Sequence, residues 1–189
     1  MTDSMSRTSR VRLLLVLLVS MVGCDQATKH YAVTHWSHLE NQPPQSYFQD
    51  TFRITYAENK GAFLSLFGNL SDTARYTILV IGNGVFMIVL VAFLLGTDQW
   101  SRWNYVAWTL VFVGGIGNLI DRIRINAVID FLNLGVGQVR TGIFNVADMA
   151  ITVGFVMLVP QFFRSTPAET VVSESAAASP SLGSSGNPS

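Results

Sequence analysis

Two aspartates, Asp130 and Asp148, stand in apolar surroundings with no adjacent cation. Val128-Ile129 and Phe131 flank the first; Val146-Ala147 and Met149 flank the second. Carboxyl groups in such settings suit acid–base chemistry. Two of them brought within about 3 Å cannot both ionise, so one keeps a proton while the other accepts one from water. Hydrolysing a peptide needs a base for water's proton, an acid for the leaving nitrogen and a group that polarises the carbonyl. A half-protonated pair meets these needs with no metal and no cofactor. Further polar residues share the spacing of a helix face. Asn118, Asp121 and Arg122 fall at i, i+3 and i+4, and Asn145 and Asp148 repeat the i, i+3 step. The adjacent Arg122 offers Asp121 local compensation, which favours a structural role for that carboxylate. A wholly structural reading also exists: Arg122 pairs with Asp121, Asn118 bridges helices, and the aspartates satisfy buried backbone groups.

Other chemistries find little support. The three histidines, His30, His35 and His38, are close together without an HExxH pattern, and no GxSxG elbow is present. The one cysteine, Cys24, lies among apolar neighbours, where a thiol is unreactive, and a lone cysteine excludes an intrachain disulfide and a cysteine-rich metal site. Gly114-Gly115-Ile116-Gly117-Asn118 superficially resembles a phosphate loop, but no Gly-Lys-Ser/Thr follows; small residues for tight helix packing explain it better. Formal net charge is zero, so nothing recruits nucleic acid.

The elements that must position these residues are membrane helices. Of 189 residues, 49% are hydrophobic and 13% charged, against roughly 25% charged in a soluble domain. Tyr76 to Thr97 and Trp103 to Ile120 carry no charge, and each is long enough to cross the hydrocarbon core. Phe144 to Phe163 is apolar except near Asn145 and Asp148. Val11 to about Val33 starts as LLLVLLVSMV and turns polar at Asp25, Gln26 and Lys29. An ionisable group at the centre of such a span costs at least about 2.5 kcal/mol, so these residues call for a reason. The expected fold is an all-α polytopic membrane protein: four transmembrane helices with a small extracytoplasmic β-cradle.

The division is an N-terminal tail at 1–10, a membrane domain at 11–163 with the cradle at about 37–70, and a Ser/Ala-rich tail at 164–189 expected to be disordered. Within the cradle, Phe52, Ile54 and Tyr56 alternate with polar residues as in a half-buried strand, and Asn59-Lys60-Gly61 supplies turn chemistry. The short link Asp98 to Arg102 makes the second and third spans antiparallel neighbours. Arg7, Arg10 and Arg12 put both termini in the cytoplasm by the positive-inside tendency. Arg122, Arg124 and Arg140 then fall outside, which blurs that asymmetry unless some of them serve a site. The same arginines ahead of Met21-Val22-Gly23-Cys24 also fit a cleaved lipoprotein signal, but three more spans follow.

Several blocks together resemble the bacterial lipoprotein signal peptidases (signal peptidase II). They are Asp25-Gln26-Ala27-Thr28-Lys29, Asn59-Lys60-Gly61-Ala62-Phe63, GGIGNLIDR at Gly114 to Arg122, Val128-Ile129-Asp130-Phe131, and Phe144-Asn145-Val146-Ala147-Asp148. The resemblance implies an aspartic endopeptidase of the bacterial inner membrane, with its active site near the periplasmic face and catalytic residues at Asp130 and Asp148. It implies that Asp25, Asn59, Asn118, Arg122 and Asn145 line the site. Lys29, Gly61 and Asp121, from the same blocks, join them as substrate-binding or dyad-supporting residues. The implied substrates are diacylglyceryl-modified prolipoproteins, cut on the amino side of the lipidated cysteine. Membrane lipids surround the enzyme, globomycin-type cyclic peptides inhibit it, and a monomer is expected. The competing class is a small proton-coupled transporter relaying protons through Asp121, Asp130 and Asp148; acids gathered near one boundary suit it poorly.

Overall fold

The computed structural model describes residues 5–61, 71–98 and 100–162. Helix α1 runs unbroken over Arg7–Leu39, α2 over Thr73–Gly96, α3 over Arg102–Ile125 and α4 over Val146–Phe162. The first three are long and apolar enough to cross a membrane. The fourth has 17 residues, about 26 Å at the α-helical rise, which is at the lower bound for a span. Gly96 ends α2 and Ser101 caps α3 by accepting from Asn104 N at 3.3 Å, so the link between these neighbours is as short as the charge pattern predicts.

Polarity within the first span does not end it. A π-helical stretch, Leu18–Val22, precedes Gly23, and beyond it Asp25 and Lys29 are buried while Cys24 is exposed. Two clusters form the core. Leu14, Met87, Leu90, Leu94, Tyr105 and Val111 join the helices. Ala32, Leu39, Tyr56, Ile129 and Phe131 fasten the end of α1 to the sheet. Glycines set the closest approaches, as the small-residue reading of Gly114 to Gly117 expects. A Cβ on Gly114 would stand 2.5 Å from Ala147 O, and one on Gly117 would stand 2.7 Å from Asp25 Oδ2.

The sheet is antiparallel, in the order β1 (Gln45–Tyr47), β2 (Phe52–Asn59), β3 (Val128–Val136), β4 (Val139–Arg140). It differs from the expected cradle in two ways. First, half of it comes from residues after α3, in a segment that reads only as a connection. Second, while β2 ends at Asn59, whose Oδ1 accepts from Gly61 N, a further turn joins β1 to β2 at Phe48, Gln49 and Asp50, all three at positive φ. Such backbone costs free energy for side chains with a Cβ. Polar contacts offset it: Asp50 accepts from Arg53 Nε, Arg53 Nη2 and Ser46 Oγ, each at 2.6 Å, and its carbonyl accepts from Arg140 at 2.7 Å. These bonds hold the Asp50 carboxyl well below the usual carboxylate range. Residues 62–70 of the expected cradle, and the tail from 164, lie outside the described residues.

Register now places the first chemistry. Ala57 pairs with Asp130 and Asn59 with Val128. Alternate residues share a face, so Asn59 and Asp130 project to the same side.

Candidate active site

Asp148 is positioned by the start of α4. Asn145 Oδ1 accepts from Asp148 N at 2.9 Å, and Asp148 Oδ2 accepts from Asn145 N at 3.1 Å. This is a reciprocal capping box in which Asp replaces the usual Glu. The Asn-x-x-Asp spacing that reads as a polar helix face is therefore also a helix start. The cap turns both side chains toward α3 and β3.

Three asparagines then converge on the two aspartates. Each has its amide oxygen held by a fixed donor: Gly61 N on Asn59 at 3.1 Å, Asp148 N on Asn145, and Lys29 Nζ on Asn118 at 3.0 Å. An amide whose oxygen is held has its nitrogen placed as well. Asn59 Nδ2 donates to Asp130 Oδ2 at 3.0 Å, Asn145 Nδ2 to Asp130 Oδ1 at 2.6 Å, and Asn118 Nδ2 to Asp148 Oδ1 at 2.7 Å. With Asn145 N on Asp148 Oδ2, every carboxylate oxygen of the pair receives one donor. The aspartates are joined through Asn145 and Asn118, since Asn145 Nδ2 also donates to Asn118 Oδ1 at 3.2 Å.

Asp130 is 2% exposed. Burial pushes its carboxyl up to about 7, and the charge of Asp148 adds to the effect, against the Asn59 and Asn145 hydrogen bonds and the field of Lys29. A carboxyl titrating there is divided between its acid and base forms at neutral pH, as an acid–base catalyst requires.

Behind the pair lies a second charged group. Lys29 Nζ lies 2.8 Å from Asp25 Oδ2 and 2.9 Å from Asp121 Oδ2. Asp25 Oδ1 accepts from Ala147 N at 2.9 Å, which ties α1 to the start of α4; Asp121 Oδ2 accepts from Ile129 N at 3.3 Å, which ties α3 to β3. Asp121 thus fills a structural role, but with Lys29 as its cation in place of Arg122. Gln26, which the sequence marks only as polar, donates to Asp25, Asp121 and the Gly117 carbonyl. Arg122 reaches the Asn118 and Gly61 carbonyls at 3.4 Å, and its buried Nε has no partner among the described residues. Asp25, Lys29, Asn59, Gly61, Asn118, Asp121, Arg122, Asp130, Asn145 and Asp148 therefore form one connected assembly at the sheet end of the helices. Among the described residues no group of three or more His, Cys, Asp or Glu could hold a metal ion; the cation between the Asp25 and Asp121 carboxylates is Lys29 itself.

The family model described as signal peptidase (SPase) II matches residues 17–164. A lipoprotein signal peptidase of Sphingopyxis alaskensis is 36% identical over 159 residues, covering 82% of this chain and 88% of the relative. One of Psychromonas ingrahamii is 32% identical over 83% of this chain and 88% of the relative. One of Streptococcus pyogenes is 35% identical over 78% and 91%. A solved structure described as a bacterial membrane enzyme superposes with a TM-score of 0.72 at 27% identity, covering 88% of this chain and 99% of that one.

Proposed function

From its membership of the signal peptidase II family, to which the chain belongs, we propose that this membrane protease removes signal peptides from diacylglyceryl-modified prolipoproteins. The cut falls on the amino side of the lipidated cysteine. The observation that carries the mechanism is the convergence of four donors on the four oxygens of Asp130 and Asp148. One carboxyl is the acid and the other the base. The carboxylate takes a proton from water, and the resulting hydroxide adds to the scissile carbonyl carbon. The protonated carboxyl then gives its proton to the amide nitrogen as the C–N bond breaks. The products are a new carboxyl terminus and the amino group of the lipidated cysteine; the pair ends with its proton exchanged between partners and no net change.

The arrangement suits a substrate that is itself a membrane helix carrying lipid, whose scissile bond lies near the bilayer surface. Four spans, with α4 the shortest, bring both termini to the cytoplasmic side and the sheet to the periplasmic side of the inner membrane. Asp130 then lies on a strand outside the hydrocarbon and Asp148 at a helix start, so neither carries the full cost of the bilayer centre. Between this assembly and Asp98 at the other end, the helices contain no acid, which disfavours a proton relay through the membrane. Globomycin is expected to compete with the peptide for the same donors.

The test is incubation of the purified protein with a diacylated prolipoprotein peptide, with the cut located by mass spectrometry. Cleavage immediately before the modified cysteine supports the reading. Cleavage elsewhere, or of unlipidated peptide at an equal rate, overturns it.

A further inference from the structure

Lys29 takes no part in the bond-breaking steps, yet each of its protons is committed. Its ammonium carries three, and three acceptors lie within 3.0 Å: Asp25 Oδ2, Asp121 Oδ2 and Asn118 Oδ1. The first two neutralise it. The third contact is to an uncharged amide, and its effect is on direction. An asparagine amide turned by half a rotation exchanges its acceptor for a donor. In Asn118 that turn would set its NH2 against the Lys29 ammonium and the Asn145 NH2, and its oxygen against the Asp148 carboxylate. Three favourable contacts would become three repulsive ones. The amide nitrogen is thereby locked onto Asp148.

Asp130 stands one amide further from the Lys29 charge, reached only through Asn145, whose Nδ2 also donates to Asn118 Oδ1. Its donors, Asn59 and Asn145, are oriented by the backbone N–H groups of Gly61 and Asp148. Asp148 also occupies the first turn of α4, where backbone N–H groups favour a negative charge. We infer that Lys29 is a positioning residue which, through Asn118, commits Asp148 to the role of the carboxylate that accepts water's proton and leaves Asp130 as the proton-bearing partner. This rests on the peptidase reading above. The charged groups around Asp148 and its Asn118 link are Lys29 and Asp25 on α1, Asp121 and Arg122 on α3, and Asp130 on β3.

Removing Lys29 alone leaves two buried carboxylates without their cation, which threatens the fold by itself. The first variant is therefore Lys29→Met combined with Asp121→Asn, which removes one charge of each sign. The second is Asn118→Asp, which keeps an oxygen for Lys29 but presents another oxygen to Asp148, imitating the turned amide in an isosteric side chain. On the diacylated peptide, both are expected to lower kcat by about 100-fold with KM within about two-fold, because the peptide is still bound. Both are expected to move the acid limb of the kcat–pH profile upward by about one pH unit. A purely structural lysine would lower the amount of folded protein and leave that limb in place. Unmoved kcat and an unmoved acid limb in Asn118→Asp, with the unaltered protein active, overturn the role of Lys29 alone. Failure of the unaltered protein to cleave overturns the peptidase reading beneath it.

Discussion

Arg10 and Lys29 are buried cations on the same helix, 2% and 3% exposed, and they are held in different ways. Arg10 closes the end of the bundle near the α2–α3 link. It donates to the Thr97 carbonyl and, at 3.2 Å, to Asp98, whose side chain is 88% exposed. Its own carbonyl accepts from Tyr105 OH at 2.9 Å, while its buried Nε has no partner among the described residues. An ion pair with a solvent-exposed partner contributes at most about 1 kcal/mol, so Arg10 holds mainly through backbone bonds and packing. Lys29 has no proton left over, and each of its acceptors makes a further bond that fixes a neighbouring element. A clamp tolerates an unused donor and an exposed partner. At the other end, one side chain's orientation decides the next.

The largest effect is expected at the pair that the Lys29 network serves. Asp130→Asn and Asp148→Asn keep volume but remove the titrating group; each is expected to lower cleavage by about 10⁴-fold, with thermal unfolding in detergent nearly unchanged. Retained turnover in both folded variants would remove the chemistry from these residues. The opposite effect is expected at the other end. Arg10→Met should lower stability by about 2 kcal/mol through its lost backbone bond, seen as a lower unfolding temperature, while the kcat–pH profile of the folded fraction stays in place. A shifted profile would mean that the two ends are not separable. Asn59→Ala should have the smallest effect, about a ten-fold loss of kcat. The Asn59 hydrogen bond lowers the Asp130 pKa, so its removal raises it. The limb on which Asp130 loses its proton should therefore move to higher pH. Unchanged kinetics would leave Asn59 a bystander.

What the sequence makes legible follows the range of the interactions. Charge-free runs mark α2 and α3 because the bilayer acts on composition alone. The i, i+3 spacing finds Asn145 and Asp148 because a helix makes near neighbours of them. The β3–β4 hairpin escapes notice: Val128 to Val136 mixes apolar residues with the polar Asp130 and Asn133, and its strand character depends on pairing with β2, far away in the chain. The β1–β2 turn lacks glycine and is held by Arg140 from the second hairpin, a contact no local pattern contains. The cation of Asp121 differs from the expected one for a related reason. Sequence adjacency suggests Arg122, whereas the partner arrives from α1, allowed in by the absence of a side chain at Gly117. The resemblance blocks name every residue of the assembly, but the direction in which each asparagine points emerges only from the packed elements.

In the proposed chemistry Asp130 and Asp148 divide the acid–base work, with Asp130 holding a proton near neutrality. An infrared titration of carboxyl bands on the purified protein reads this directly. A protonated carboxyl that loses its proton at about pH 7 and is absent from Asp130→Asn is expected. Full ionisation of every carboxyl at a pH well below that, or a band of equal strength in Asp130→Asn, would contradict it.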